Sequence, residues 1–187
     1  AVKIKIANPA CTDVVLSVEG KPFFTDTLID WKMMKWMNLP TGEVIVAPVE
    51  NSLEGKLICD MAIGGIGPLE TPVKLDVKNG KVQNSSSDNS QVLRRVRDSL
   101  DTDEGSSIVG EFAFGVNFKA RFVEEFLEAE KMLGTIHIAF GNNSNMPGGK
   151  NRSKNHLDFQ FSKPTVKVFN KDGSSFDVLV DGKFQPL

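Results

Sequence analysis

The chain has 187 residues, 40% apolar and 25% charged, with 22 basic and 24 acidic side chains and a formal net charge of -2. This is an ordinary globular composition, and the interspersed charges leave no basic footprint for nucleic acid or an anionic membrane surface. No run approaches the ~18 apolar residues of a membrane span, and no charged-then-apolar leader opens the chain.

Cys11 and Cys59 stand far apart beside strand-like sequence. That predicts reduced, buried thiols and a cytoplasmic location.

Alternation begins at once with Val2-Lys3-Ile4-Lys5-Ile6. A chain that starts on a strand reads as part of something longer, and such a terminal strand is expected to be free to pair with another copy. Further short runs read as strands: Asp13 to Glu19, Glu43 to Val49, Lys56 to Ile63 and Pro72 to Val77. Asn79-Gly80 is a two-residue hairpin signal. The polar stretch Asn84 to Asp88 supplies caps for an amphipathic helix from Ser87 to about Leu100, where Val92, Leu93, Val96 and Leu100 recur at helical spacing. Phe122, Val123, Phe126 and Leu127, followed by Glu130 and Lys131, predict a second helix. The pattern then returns to strands at Thr135 to Phe140, His156 to Phe161, Thr165 to Phe169 and Ser175 to Val180, the last two joined by a turn at Asn170 to Gly173. The expected fold is α+β and β-rich, a barrel-like or meandering antiparallel or mixed sheet with about two helices, forming one unit over residues 1–187.

The chain has only two histidines, His137 and His156, both among the later strands. In an extended segment His156 and Asp158 share a face and can grip one cation, and His137 can supply a third ligand. Two imidazoles and a carboxylate suit zinc, cobalt, manganese or ferrous iron, in hydrolases and in non-heme oxygenases alike. Between the histidines lies a polar, glycine-containing loop, 142–153, placed to overhang such a metal. Glu43 and Glu111 each follow a glycine and open an apolar strand-like run. A carboxylate so placed needs a partner if its face is buried, and a cation is one. Two glutamates, two histidines and an aspartate suffice for a two-metal centre.

Four ordered blocks carry a family resemblance: Asn38 to Pro48, Gly110 to Asn117, Glu130 to Gly141 and His156-Leu157-Asp158. Together they resemble the signatures of the aminopeptidase T and aminopeptidase S family of metallo-aminopeptidases. Members of that family are about twice as long, so the likeness is to their C-terminal, metal-binding half. It implies that Glu43, Glu111, His137, His156 and Asp158 hold one or two divalent ions, with zinc, cobalt, magnesium or manganese as candidates. It also implies a homodimer acting on peptide or small-molecule substrates, with metal-activated water releasing N-terminal residues.

The family carries a catalytic tyrosine after the first histidine, whereas this chain has no tyrosine, and Ser144 stands near its place. Losing such an oxyanion donor removes about 3 kcal/mol of transition-state stabilisation unless Lys150, Arg152 or the metal replaces it. Dihydroxypyridine dioxygenases look similar in sequence, and for them His137, His156 and Asp158 would hold one iron for ring cleavage. A non-catalytic metal-binding or structural module is the third reading.

Overall fold

The computed structural model describes residues 1–28, 32 and 37–186. Its strands are β1 (Lys3–Ala7), β2 (Asp13–Ser17), β3 (Phe23–Thr25), β4 (Glu43–Val46), β5 (Glu54–Cys59), β6 (Ala62–Ile63), β7 (Gly67–Pro68), β8 (Val73–Lys78) and β9 (Lys81–Ser86). The helix α1 (Ser90–Leu100) follows, then β10 (Val109–Gly115), the single turn α2 (Phe126–Ala129), β11 (Ile136–Gly141), β12 (His156–Phe161), β13 (Thr165–Phe169), β14 (Ser175–Val180) and β15 (Lys183–Phe184).

The strands form two antiparallel sheets. One runs β15-β14-β13-β1-β2-β5-β8-β9 and the other β3-β4-β10-β11-β12-β6-β7. Alternation explains their packing, because alternate residues of the inner strands of both sheets enter one shared core. Ile4, Ile6, Leu16, Leu57 and Leu75 come from the first sheet, and Val46, Phe112, Ile138, Phe140 and Phe159 from the second. The sheets stack and neither closes into a barrel. Among the described residues no helix is long and apolar enough to cross a membrane.

Strand β1 lies inside its sheet, bonded to β13 on one side and β2 on the other. The expected free edge is therefore covered by the chain's own C-terminal part. Cys59 is buried, but Cys11 is exposed, because it sits in the tight β1–β2 turn at a positive φ of 76° and not on a strand. The expected strand from Lys56 to Ile63 is two, β5 and β6, which belong to different sheets.

The Asn79-Gly80 hairpin forms with both residues at positive φ. It leads into β9, whose polar KVQNSS sequence carried no strand signal. Helix α1 starts later than Ser87 because Asn89 is the cap, its side chain accepting from the amides of Gln91 and Val92. The expected second helix shrinks to one turn: only Phe126 and Ala129 in it are buried, and Phe122 is left 45% exposed.

Candidate metal centre

The second sheet's outer face carries the candidate site. Glu111, Ala139 and Asp158 form one cross-strand row, and Ala113, His137 and Gln160 the next, while Glu43 pairs with Gly115. The intervening residues Val44, Phe112, Phe114, Ile136, Ile138, Leu157 and Phe159 face the shared core.

In a regular strand Val109 and Glu111 would share a face, yet Val109 is in the core and Glu111 is in the site. A bulge at Gly110 resolves this by shifting the register between them. Only glycine fits there, since a Cβ would stand 2.6 Å from the Gly141 carbonyl oxygen. Gly115 plays a second such role. The 130–132 segment crosses directly over it, and this crossing brings Glu130 and Lys131 to the cluster.

His137 Nε2 lies 3.1 Å from Glu43 Oε1 and 3.1 Å from Glu111 Oε1. His156 Nε2 lies 3.3 Å from Glu111 Oε2 and 3.4 Å from Asp158 Oδ1. Glu111 thus offers one oxygen to each imidazole. Lys131 is fully buried, 2.6 Å from Glu43 Oε2, and also pairs with Glu130. The Asp26 carboxylate accepts the backbone N–H groups of Gly42 and Glu43, fixing where β4 presents Glu43.

Charge and burial compete throughout. Burial pushes the Glu111 carboxyl up, but the two imidazoles outweigh it and hold the group well below the usual carboxylate range. Burial likewise disfavours both imidazolium ions, yet Glu111 and Glu43 raise His137 well above its ordinary value, and Asp158 and Glu111 do the same for His156. Burial, reinforced by Glu43 and Asp158 against the cations His137 and Lys131, pushes the Glu130 carboxyl up.

Four carboxylates here face Lys131 and the two imidazoles, and a divalent ion can take the place of the imidazole protons. Three sets place one donor atom per residue within 4.8 Å of one another: Glu43, Glu111 and His137; Glu111, His156 and Asp158; and Glu130, His137 and Asp158. Oxygen with imidazole nitrogen is a donor mixture for divalent transition ions. His156 fits the role further, because its Nδ1 lies 2.8 Å from the Asn142 carbonyl oxygen. Donating there leaves Nε2 for a metal.

The structure therefore brings together Glu43, Glu111, His137, His156 and Asp158. It adds Glu130 and Lys131, which sequence patterning placed on a helix face, and Asp26, which it did not single out. Lys131, next to Glu130 at helical spacing, gives no signal of a buried cation, and Asp26 gives none either.

Beside the cluster opens a cavity of about 180 Å³ whose apolar wall is Phe24, Ile45, Leu127 and Met146. From the 142–153 loop, Asn145 and Met146 line it, while Ser144, Lys150 and Arg152 are exposed and outside the lining. The loop itself is built. The buried Asn143 donates to the Gly110 carbonyl and accepts from the Asn151 amide, and Lys21 donates to the Gly148 carbonyl.

The family model described as thermophilic metalloprotease (M29) matches residues 2–184. No curated protein matches the sequence. In fold, the chain is similar to 2,5-dihydroxypyridine dioxygenase from Pseudomonas putida KT2440, with a TM-score of 0.80 and 17% identity over 99% of this chain and 55% of that one. It is similar also to AmpT from Thermus thermophilus, with a TM-score of 0.77 and 23% identity over 97% of this chain and 49% of that one. It spans about half the length of both.

Proposed function

The chain belongs to the thermophilic metalloprotease (M29) family, and on that premise we propose that it carries the metal centre of an aminopeptidase-type hydrolase releasing N-terminal residues from peptides. The observation that carries this reading is the position of Glu111, shared between two ligand sets and reaching one imidazole with each oxygen. A carboxylate between two sets is the layout of a two-ion site. Bound ions would supply Lewis acidity and a water acidic enough to attack a carbonyl near neutral pH.

The chain's own residues do the rest. Asp26 and Lys131 orient Glu43 from its backbone and its carboxylate, and the Asn142 carbonyl aims His156. Phe24, Ile45, Leu127 and Met146 exclude water beside the reacting carbonyl. In place of a tyrosine hydroxyl, the 142–153 loop brings Asn145 to the cavity wall, with Ser144, Lys150 and Arg152 on its exposed side.

One observation sets this reading above a mononuclear iron dioxygenase. Such an enzyme would need both imidazoles and Asp158 around one ion, and among the described residues no set combines the two imidazoles. Elemental analysis of the purified chain beside Glu43→Ala and His156→Ala, followed by assays on free and N-acetylated leucyl peptides, tests the reading. Two metal equivalents that fall in either variant, with cleavage only of the free-amine peptide, are expected. A single iron indifferent to Glu43 would favour the dioxygenase, and no metal in any preparation would favour a non-catalytic module.

A further inference from the structure

His137 Nδ1 and Gln160 Oε1 are both buried and both lack a hydrogen-bond partner. Unsatisfied buried polar atoms are uncommon and call for an explanation. These two belong to directly opposed residues, since His137 of β11 pairs in register with Gln160 of β12. Both side chains rise from the sheet's outer face, and Gln160 is 0% exposed.

The orientation of the amide follows from chemistry. Gln160 Nε2 donates to the Ala129 carbonyl and to Thr135 Oγ1. Flipping the group would set its oxygen against a carbonyl that can only accept. The nitrogen therefore ties the 129–135 segment to the sheet, and the oxygen remains as an acceptor beside a histidine whose other nitrogen faces Glu43 and Glu111. A buried imidazole nitrogen that neither binds a metal nor donates has lost its solvation without return, and metal-bound histidines characteristically donate their second N–H to an oxygen.

We propose that Gln160 is the positioning residue of His137. Its carboxamide oxygen accepts a hydrogen bond from the Nδ1–H, directly or through one bound water, and so leaves Nε2 bare for a metal ion. His156 then has its counterpart: a backbone carbonyl fixes one imidazole and a side-chain carboxamide the other. The inference rests on the metal-centre reading above, and it assigns Gln160 no contact with substrate.

The test uses the 187-residue chain with zinc as the probe, in wild type, Gln160→Met and Gln160→Glu. Zinc affinity is measured against a competing chelator, and imidazole tautomers by nitrogen-15 NMR, where two histidines give two resolvable rings. In wild type His137 is expected to carry its proton on Nδ1 with Nε2 on the metal. Gln160→Met should weaken zinc binding roughly 10- to 100-fold and lose the protected Nδ1 proton, and Gln160→Glu, which loses the donor to the Ala129 carbonyl but keeps an acceptor oxygen beside Nδ1, should retain that proton.

Zinc binding by Gln160→Met within about threefold of wild type, with an unchanged imidazole pattern, would overturn the proposal while leaving the metal centre standing. Wild-type protein that takes up no zinc would sink both. If Gln160→Met does not fold, the wild-type and Gln160→Glu spectra decide, and metal found on Nδ1 in either refutes the assignment.

Discussion

Lys131 shows what a single residue contributes to the cluster. It is a fully buried cation whose partners, Glu43 and Glu130, are themselves buried. Breaking such a pair strands charge in a poorly solvated place, so Lys131→Met should cost the metal-free protein roughly 3–5 kcal/mol. Urea unfolding in the presence of a chelator measures it. A loss below about 1 kcal/mol would mean that the carboxylates protonate or reach solvent instead. At this scale the donor types were readable from the sequence, because two histidines and a few oddly placed carboxylates stand out. Glu130 and Lys131 did not stand out. At helical spacing they look like a solvated face, and only the crossing over Gly115 buries them. Asp26 was equally silent, since its role is to accept two backbone N–H groups that sequence does not reveal.

Among elements, the strands His156–Phe161, Thr165–Phe169 and Ser175–Val180 were legible to the residue, as alternation of apolar and polar side chains encodes them directly. Strand β9 was not, because a polar edge strand is held by backbone pairing to β8 and by Arg97 of α1, which donates to the Ser85 carbonyl. The bulge at Gly110 and the crossing at Gly115 are conformational facts hidden behind single glycines. At Gly115 an added Cβ would stand 2.1 Å from the Met132 carbonyl oxygen and 2.9 Å from that of Glu130. Gly115→Ala should therefore lift the 130–132 segment, destabilise the protein by ~1–3 kcal/mol and reduce metal bound per chain. Unchanged stoichiometry with normal stability would show that the crossing yields without consequence for the site.

The loop beside the site depends on a clasp of a different kind. Glu50 accepts the Lys150 amide N–H at 2.9 Å and pairs with Lys21, which also reaches the Gly148 carbonyl. Burial opposes ionisation of Glu50, but its own amide and the Lys21 ammonium prevail and lower it from 4.5. A depressed carboxylate contributes stability above its unfolded value and loses it as pH falls through the folded one. The Lys150 amide resonance should accordingly titrate below pH 4.5, and the titration should vanish in Glu50→Gln. A midpoint at or above that value would show that the clasp adds nothing to loop order.

Across the whole molecule, the ligand sets join residues 43, 111, 137, 156 and 158 on strands β4, β10, β11 and β12, on the sheet face opposite the shared core, with residue 130 from the segment that crosses over Gly115. That stacking of two sheets could be expected only as a β-rich α+β fold, because which strands share a sheet depends on long-range pairings such as β1 with β13. An ion held by such distant segments binds the folded chain and not the unfolded one, so it must stabilise the fold by mass action. At 100 times its dissociation constant one ion adds about 2.7 kcal/mol. For a chain of this length that is a rise of roughly 5–10 °C in Tm.

The overlap of the ligand sets makes the size of that rise diagnostic. Glu111 belongs to both the Glu43–His137 set and the His156–Asp158 set, so Glu111→Gln, which spares only the Glu130, His137 and Asp158 set, should remove most of the rise on adding zinc. Glu43→Gln spares the Glu111, His156 and Asp158 set and should keep part of it. Calorimetric scans of the two variants with and without metal therefore separate a shared-carboxylate pair of ions from a single ion. Equal loss in both variants would mean that the cluster acts as one site, and the two-ion reading would have to be given up.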